Sequence, residues 1–131
     1  MTHLHFQPIK GKSLDIIDAI LHTEEMVSMG DNIGLIFETV DELVPNIVDY
    51  SNSDYLEIEI VRDDKGITLC FRDGGIPFNP LKKDPPDISL PMEDREIGGL
   101  GIFLVIKKMD VVEYEHTDGE NILTVKKMIK D

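Results

Sequence analysis

YLEIEIVRDDKGITLCFRD, residues 55–73, is two alternating runs, 55–63 and 66–73, joined by the polar tetrad Asp63-Asp64-Lys65-Gly66. Every second side chain of a strand shares a face, so the stretch reads as a hairpin with one oily and one polar side. A second hairpin is read in VVEYEH and NILTVKKMI, joined by TDGE. Near the N-terminus THLHFQP, residues 2–8, alternates His3 and His5 with Leu4 and Phe6, as a short strand does. His-x-His could be half a metal site. With no Cys or acidic cluster nearby, the two histidines read instead as a strand's polar face.

Between these strands the period changes to that of helices. Ser13 is placed to cap a helix from Leu14 to about Met29, burying Ile16, Ile17, Ile20, Leu21 and Val27 and ending at Gly30. A second helix starts from Asp31 as N-cap, with Ile33, Phe37, Val40, Val44, Ile47 and Val48 in one sector. Behind a glycine-rich entry, Ile102, Val105, Ile106 and Met109 recur at helical spacing. The order is therefore β-α-α-β-β-loop-α-β-β, which is not the strict alternation of a parallel doubly wound sheet. It predicts an α+β fold: one domain, residues 1–131, built as a two-layer α/β sandwich with three helices on one face of a mostly antiparallel mixed sheet. The loop, residues 74–99, carries five prolines and four glycines in 26 residues, too many for a regular element. Such a stretch in a domain of this size reads as a lid or as disorder.

Composition narrows the function. The 131 residues carry 26 acidic against 13 basic side chains, a formal charge of −13, which repels phosphate backbones and anionic lipid heads. Direct nucleic-acid binding is not expected. A small anion held by backbone groups and a metal is compatible with this field, as is a basic protein partner. Nothing approaches the ~20 apolar residues of a membrane span and no basic leader precedes an apolar run, so a cytoplasmic protein is expected. Cys70, the single cysteine, lies in a strand and reads as a small, half-buried side chain.

Three motifs carry chemistry. In ETVDELVPNIVDYS, residues 38–51, Glu42, Asn46 and Asp49 fall within ~60° of one another on the helix, opposite the Phe37/Val44 stripe. Two carboxylates and an amide oxygen on one face could hold Mg2+ and position a base, though amphipathic helices ordinarily carry polar residues there. Pro45 disturbs that bland reading, because it leaves the Asp41 carbonyl without its helical partner at a cost of ~3 kcal/mol. Asp73-Gly74-Gly75-Ile76-Pro77-Phe78 ends a strand with an acceptor-only carboxylate and two glycines. That suits an exocyclic amine approaching the backbone, and equally an ordinary turn. Gly98-Gly99-Leu100-Gly101 opens a helix, where converging N–H groups and the helix dipole could hold phosphate without a lysine. Each signal is weak alone, but metal ligand, base reader, lid and phosphate cradle follow in the order a Mg-nucleotide pocket needs.

Together these residues resemble the GHKL, or Bergerat-fold, ATPases, and among them the small stand-alone anti-sigma-factor serine/threonine kinases. DELVPNIVDYS resembles their N box, FRDGGIPFNP their first glycine box, and IGGLGIFLVIKKMDVVEYEHTDGENILTVKK their second glycine box with its trailing hairpin. The resemblance implies that Asn46 coordinates Mg2+ bridging the phosphates of ATP and that Glu42 is the general base. It further implies that Asp73 accepts from the adenine amino group, Gly75 shapes the adenine pocket, and Thr124 sits by adenine through a water. Gly99, Leu100 and Gly101 would hold the phosphates under a lid at about residues 79–97. It implies as partners a sigma factor and a STAS-type antagonist protein phosphorylated on serine or threonine, often with a homodimeric kinase. Pro45 departs from the pattern, since relatives commonly carry Thr, Ser or an apolar residue before the metal-binding Asn. Sensor histidine kinases share the boxes but need an upstream helical region bearing a phosphoacceptor His, and the residues before Glu42 read as part of the sandwich. The alternatives to a kinase are a non-catalytic module whose partner surface is ordered by ATP, and a fold relative that binds no nucleotide.

Overall fold

The computed structural model describes residues 1–77 and 107–129. Among the described residues five strands form one sheet: β1 (Thr2–Phe6), β2 (Leu56–Arg62), β3 (Gly66–Asp73), β4 (Val111–Thr117) and β5 (Glu120–Met128). Their spatial order is β1-β2-β3-β5-β4, and every pairing among them is antiparallel. Both hairpins form where alternation placed them. In the first, Asp63 Oδ1 accepts from the Lys65 and Gly66 N–H groups at 2.8 and 2.9 Å. In the second, Asp118 and Gly119 take φ of 52° and 79°, the two consecutive left-handed residues that a tight two-residue hairpin requires.

Three helices connect β1 to β2: α1 (Ser13–Leu21), α2 (Glu24–Val27) and, after a 3-10 turn at Gly30–Ile33, α3 (Gly34–Tyr50). They cover one face of the sheet. Ile16, Ile20, Ile36, Val40 and Val44 are sealed against Ile58, Ile60, Leu69, Phe71 and Val125, forming a single core. The other face carries His3, His5, Glu57, Glu59, Cys70 and Thr124, all half-buried or exposed. The two-layer α+β sandwich is thus as the hairpins implied. The helix expected over residues 102–109 lies mostly outside the described residues, as does the lid at 79–97; Lys107 and Lys108 are helical.

The helical segment before β2 differs from its reading in detail. Ser13 is the first residue of α1 and Lys12 occupies the cap position, with no side-chain cap bond. The single helix expected to reach Met29 breaks at His22–Thr23. There the Thr23 hydroxyl donates to the Ile20 carbonyl at 2.8 Å and accepts from the Met26 N–H, closing one helix and opening the next. The break turns Val27 outward, 63% exposed, and seals Met26 in its place. Glu25, buried although charged, accepts from the Thr2 hydroxyl with both oxygens at 2.6 and 2.7 Å, tying α2 to β1. Asp31 lies within the 3-10 turn instead of capping α3.

On α3 the buried stripe runs through Ile36, Val40, Leu43, Val44 and Ile47, while Phe37 is 41% exposed. Neighbouring helical residues are about 100° apart, so Ile36 facing the sheet carries Phe37 to the edge. The helix continues through Pro45 without a break. Asp41, whose carbonyl loses its partner there, is exposed, so water can take the place of the missing N–H. Pro45→Ala restores that bond and is expected to raise stability by about 1–3 kcal/mol, seen as a higher denaturant midpoint at unchanged slope. A lower midpoint would mean that the ring's packing matters more than the lost bond.

Candidate functional site

Asp73 ends β3 on the core side of the sheet and is only 4% exposed. Its Oδ1 accepts from the Gly75 N–H and from Asn121 Nδ2, both at 2.9 Å. Both side-chain bonds end on Oδ1, which leaves Oδ2 as the oxygen open to a ligand's donor. Burial raises the Asp73 pKa above the ordinary 3.8, against the lowering effect of those two donors and of His116.

The turn after Asp73 is fixed from two sides. The Ile76 N–H donates to the Ser51 carbonyl at 2.8 Å, joining the turn to the C-terminal end of α3. The approach is so close that a Cβ on Gly75 would lie 1.9 Å from the Ser51 oxygen, which is why only glycine fits. On the far side Tyr55 lies against Gly74, and its hydroxyl donates to Glu120 Oε2 at 2.6 Å. That bond, with burial and the charge of Glu120, pushes the Tyr55 phenol up to about 12.

From Ser51 the polar residues are met in order back along α3. Asn46 is five residues away, about 7.5 Å along the axis, and Glu42 one further turn. Periodicity set Asn46 on the wet side, yet it is 6% exposed. Its Nδ2 donates to the Glu42 carbonyl at 2.6 Å, while its Oδ1 is buried with no hydrogen-bond partner among the described residues. A buried amide oxygen left unpaired costs stability unless something binds it. Mg2+ is a hard cation that keeps water and substrate phosphate oxygens, so it needs few protein ligands, and an amide oxygen suits it. Among the described residues no cluster of three His, Cys, Asp or Glu could hold a metal. A resident protein cage is therefore not what this region offers; the orphaned Asn46 Oδ1 fits an ion that arrives with a phosphate. Glu42 is half-buried and Asp49 exposed.

Thr124 does not join this site. In β5 the buried positions are Asn121, Leu123 and Val125, so Thr124 points to the open face, where its hydroxyl donates to Cys70 Sγ at 3.7 Å. There it lines a hollow of about 370 Å³ with Glu113, Glu115 and Ile122. The polar residue that β5 brings beside Asp73 is Asn121, paired directly with it across the ladder and 4% exposed. Its Nδ2 also donates to the Ile76 carbonyl at 2.7 Å, and its Oδ1 accepts from the Tyr114 hydroxyl. Only the β3–β5 register, which sets Asn121 opposite Asp73, identifies it. Gly99, Leu100 and Gly101 lie outside the described residues.

The α3 amide and carboxylate thus lie along one helix whose end is tied to the turn after Asp73, which closes β3. The family model for the histidine kinase-like ATPase domain matches residues 32–127, which include all of these groups. The chain belongs to this family. The histidine kinase-like ATPase domain also accounts for the sandwich. The Acinetobacter baumannii histidine kinase AdeS superposes with a TM-score of 0.55 over 100% of this chain and 69% of its own, at 13% identity, a likeness of fold alone. Sequence relatives are the serine-protein kinases RsbW of Bacillus thuringiensis (strain Al Hakam), 33% identical over 94 residues, and of Bacillus mycoides (strain KBAB4), 32% identical over 95. Each match takes in 66% of this chain and 59% of the relative, so the chain spans about three fifths of the curated relatives' length.

Proposed function

We propose that this ATPase domain is a Mg-ATP-dependent protein serine/threonine kinase of the anti-sigma type. It captures a sigma factor and transfers the γ-phosphate of ATP to a serine or threonine of a small antagonist protein. The observation that carries the reading is the buried, unpartnered Asn46 Oδ1, one turn from Glu42 on the helix whose end is bonded to the Asp73 turn. The relatives named serine-protein kinase support the choice of acceptor.

In this reading Asp73 Oδ2 accepts from the adenine amino group, and Gly75 lets the base lie close to the backbone. Asn46 Oδ1 holds Mg2+, which when bound neutralises phosphate charge. Glu42 takes the proton of the attacking hydroxyl. Gly99, Leu100 and Gly101 cradle the phosphates under the lid at 79–97. The proposal includes a cytoplasmic homodimer, and no helix among the described residues is long and apolar enough to cross a membrane.

Equilibrium dialysis with labelled ATP tests the reading. Binding is expected to require Mg2+ and to weaken on the order of a hundredfold in Asn46→Ala, the scale on which losing a metal-site residue lowers affinity. The substitution removes only a side chain that bonds its own helix, so folding should survive it. Binding that is indifferent to both Mg2+ and Asn46→Ala would overturn the assignment. Binding without phosphate transfer to any antagonist offered would leave a nucleotide-ordered interaction module.

A further inference from the structure

Asp73 does not stand alone at the end of β3. Across the β3–β5–β4 ladder, Asn121 faces Asp73 and His116 faces Asn121, with Tyr114 two residues along the same face of β4. The hydrogen bonds among them have one direction. The Tyr114 hydroxyl donates to Asn121 Oδ1, and Asn121 Nδ2 donates to Asp73 Oδ1 and to the Ile76 carbonyl. An amide has one acceptor end and one donor end; the Ile76 carbonyl and the Asp73 carboxylate can only accept, so Nδ2 faces them, and the Tyr114 hydroxyl holds the Oδ1 that remains. Asn121 is 4% exposed and Asp73 likewise, so an amide turned the other way would set oxygen against oxygen where water cannot relieve it.

We infer that Tyr114 and Asn121 are positioning residues for nucleotide selection, a relay that engages Asp73 Oδ1 and presents Oδ2 to the base as an acceptor. This rests on the reading of Asp73 as the base-contacting group. Such an oxygen rewards a purine carrying an exocyclic amine at position 6 and opposes one carrying a carbonyl there, because two acceptors would then face each other without a proton. The relay, more than Asp73 by itself, sets the preference, since an aspartate free to protonate could donate to the carbonyl instead. Among the described residues, ionisable groups acting on Asp73 include His116 from β4, which favours its ionised form, and Glu120 from β5, which opposes it and is engaged by Tyr55, itself coupled to Asp73.

The test compares ATP with inosine triphosphate, which differs in having a carbonyl at position 6, in Mg-dependent binding to the whole chain across pH 5 to 8. Wild type is expected to prefer ATP. Tyr114→Phe removes one hydroxyl from a half-buried ring and should fold normally. It is expected to reduce the ATP preference by roughly three- to tenfold, the worth of one hydrogen bond. It should also move the acid limb of ATP binding to higher pH, because an unanchored amide no longer favours the carboxylate. Asn121→Asp provides the second variant: a carboxylate beside Asp73 should weaken ATP binding at pH 6 and recover it toward pH 8. Comparing proteins on the same ligand cancels the titration of the nucleotide itself. A merely structural role would lower thermal midpoints while leaving both the ATP preference and the acid limb where they are in wild type, and that result overturns the inference. Wild type that binds neither nucleotide ends the base-contact reading, and the inference with it. Wild type that binds ATP beside variants of unaltered selectivity ends the inference alone.

Discussion

Asp73→Asn is expected to weaken ATP binding roughly a hundredfold while leaving the fold as stable as wild type or more so. The two halves have one cause. Asp73 Oδ1 already accepts from Gly75 N–H and Asn121 Nδ2, so an asparagine must keep its carbonyl oxygen there. Its NH2 then replaces Oδ2 and meets the ligand's amino group donor to donor. A charge-assisted hydrogen bond is lost, worth about 1.5–3 kcal/mol, and the opposed donors add to it. Stability moves the other way because burial raises the Asp73 pKa. A carboxylate whose folded pKa lies above its unfolded one favours the fold while protonated, and that contribution is lost as pH rises through the folded value. At neutral pH the ionised group is therefore a net cost to folding, which the neutral amide avoids. Calorimetric ATP titration and a thermal melt of the same sample check both halves. A variant that binds ATP normally would remove Asp73 from the base pocket, and one that melts much earlier would make it a structural carboxylate. By the same sign, ATP binding to wild type should begin to fail at a pH above the ordinary 3.8, as Asp73 takes up its proton and Oδ2 ceases to be an acceptor only.

How much of this was legible in the residues depended on which period carried it. The hairpins were plain, because alternation over seven to nine residues has no helical rendering and the tetrads at Asp63 and Thr117 have few uses but turns. Helix limits were less so: Thr23 can sit inside a helix or cap one, and only its contact with Ile20 and Met26 decides. Asn46 was read as a polar residue of α3 and set on the wet side. A helical wheel gives angles about one axis, not what packs against each sector, and Asn46 proves buried. Thr124 failed for the opposite reason. A strand offers only two faces, and a residue an odd number of places from the right one, as Thr124 is from Asn121, falls on the wrong side of the sheet. The register β3–β5, with Asp73 against Asn121, is the information that was missing, because it depends on which strands are neighbours. The order β1-β2-β3-β5-β4 puts β5 inside the sheet although it comes last in the chain.

Glu42→Gln is expected to lower phosphate transfer to the antagonist by about 10²–10⁴-fold, the range for loss of a general base, while ATP affinity stays within about twofold of wild type. The separation follows from how Glu42 is used in α3. What Asn46 Nδ2 touches is the Glu42 backbone carbonyl, which any residue supplies, so the orientation of the Asn46 amide does not depend on the side-chain carboxylate. Glutamine has the same shape on a half-buried helical position, and neither helix propensity nor packing should change appreciably. What it lacks is the ability to take a proton from a serine hydroxyl at neutral pH. Phosphoryl transfer asks little covalent chemistry of a protein beyond placement and charge, so the loss is not total, and a slow residual rate from positioning alone should persist. Single-turnover transfer from labelled ATP, with affinity measured separately, distinguishes the outcomes. Transfer at the wild-type rate would remove Glu42 from proton transfer. A parallel loss of affinity would instead make its carboxylate part of the Mg-phosphate site, leaving the base to be sought on another residue.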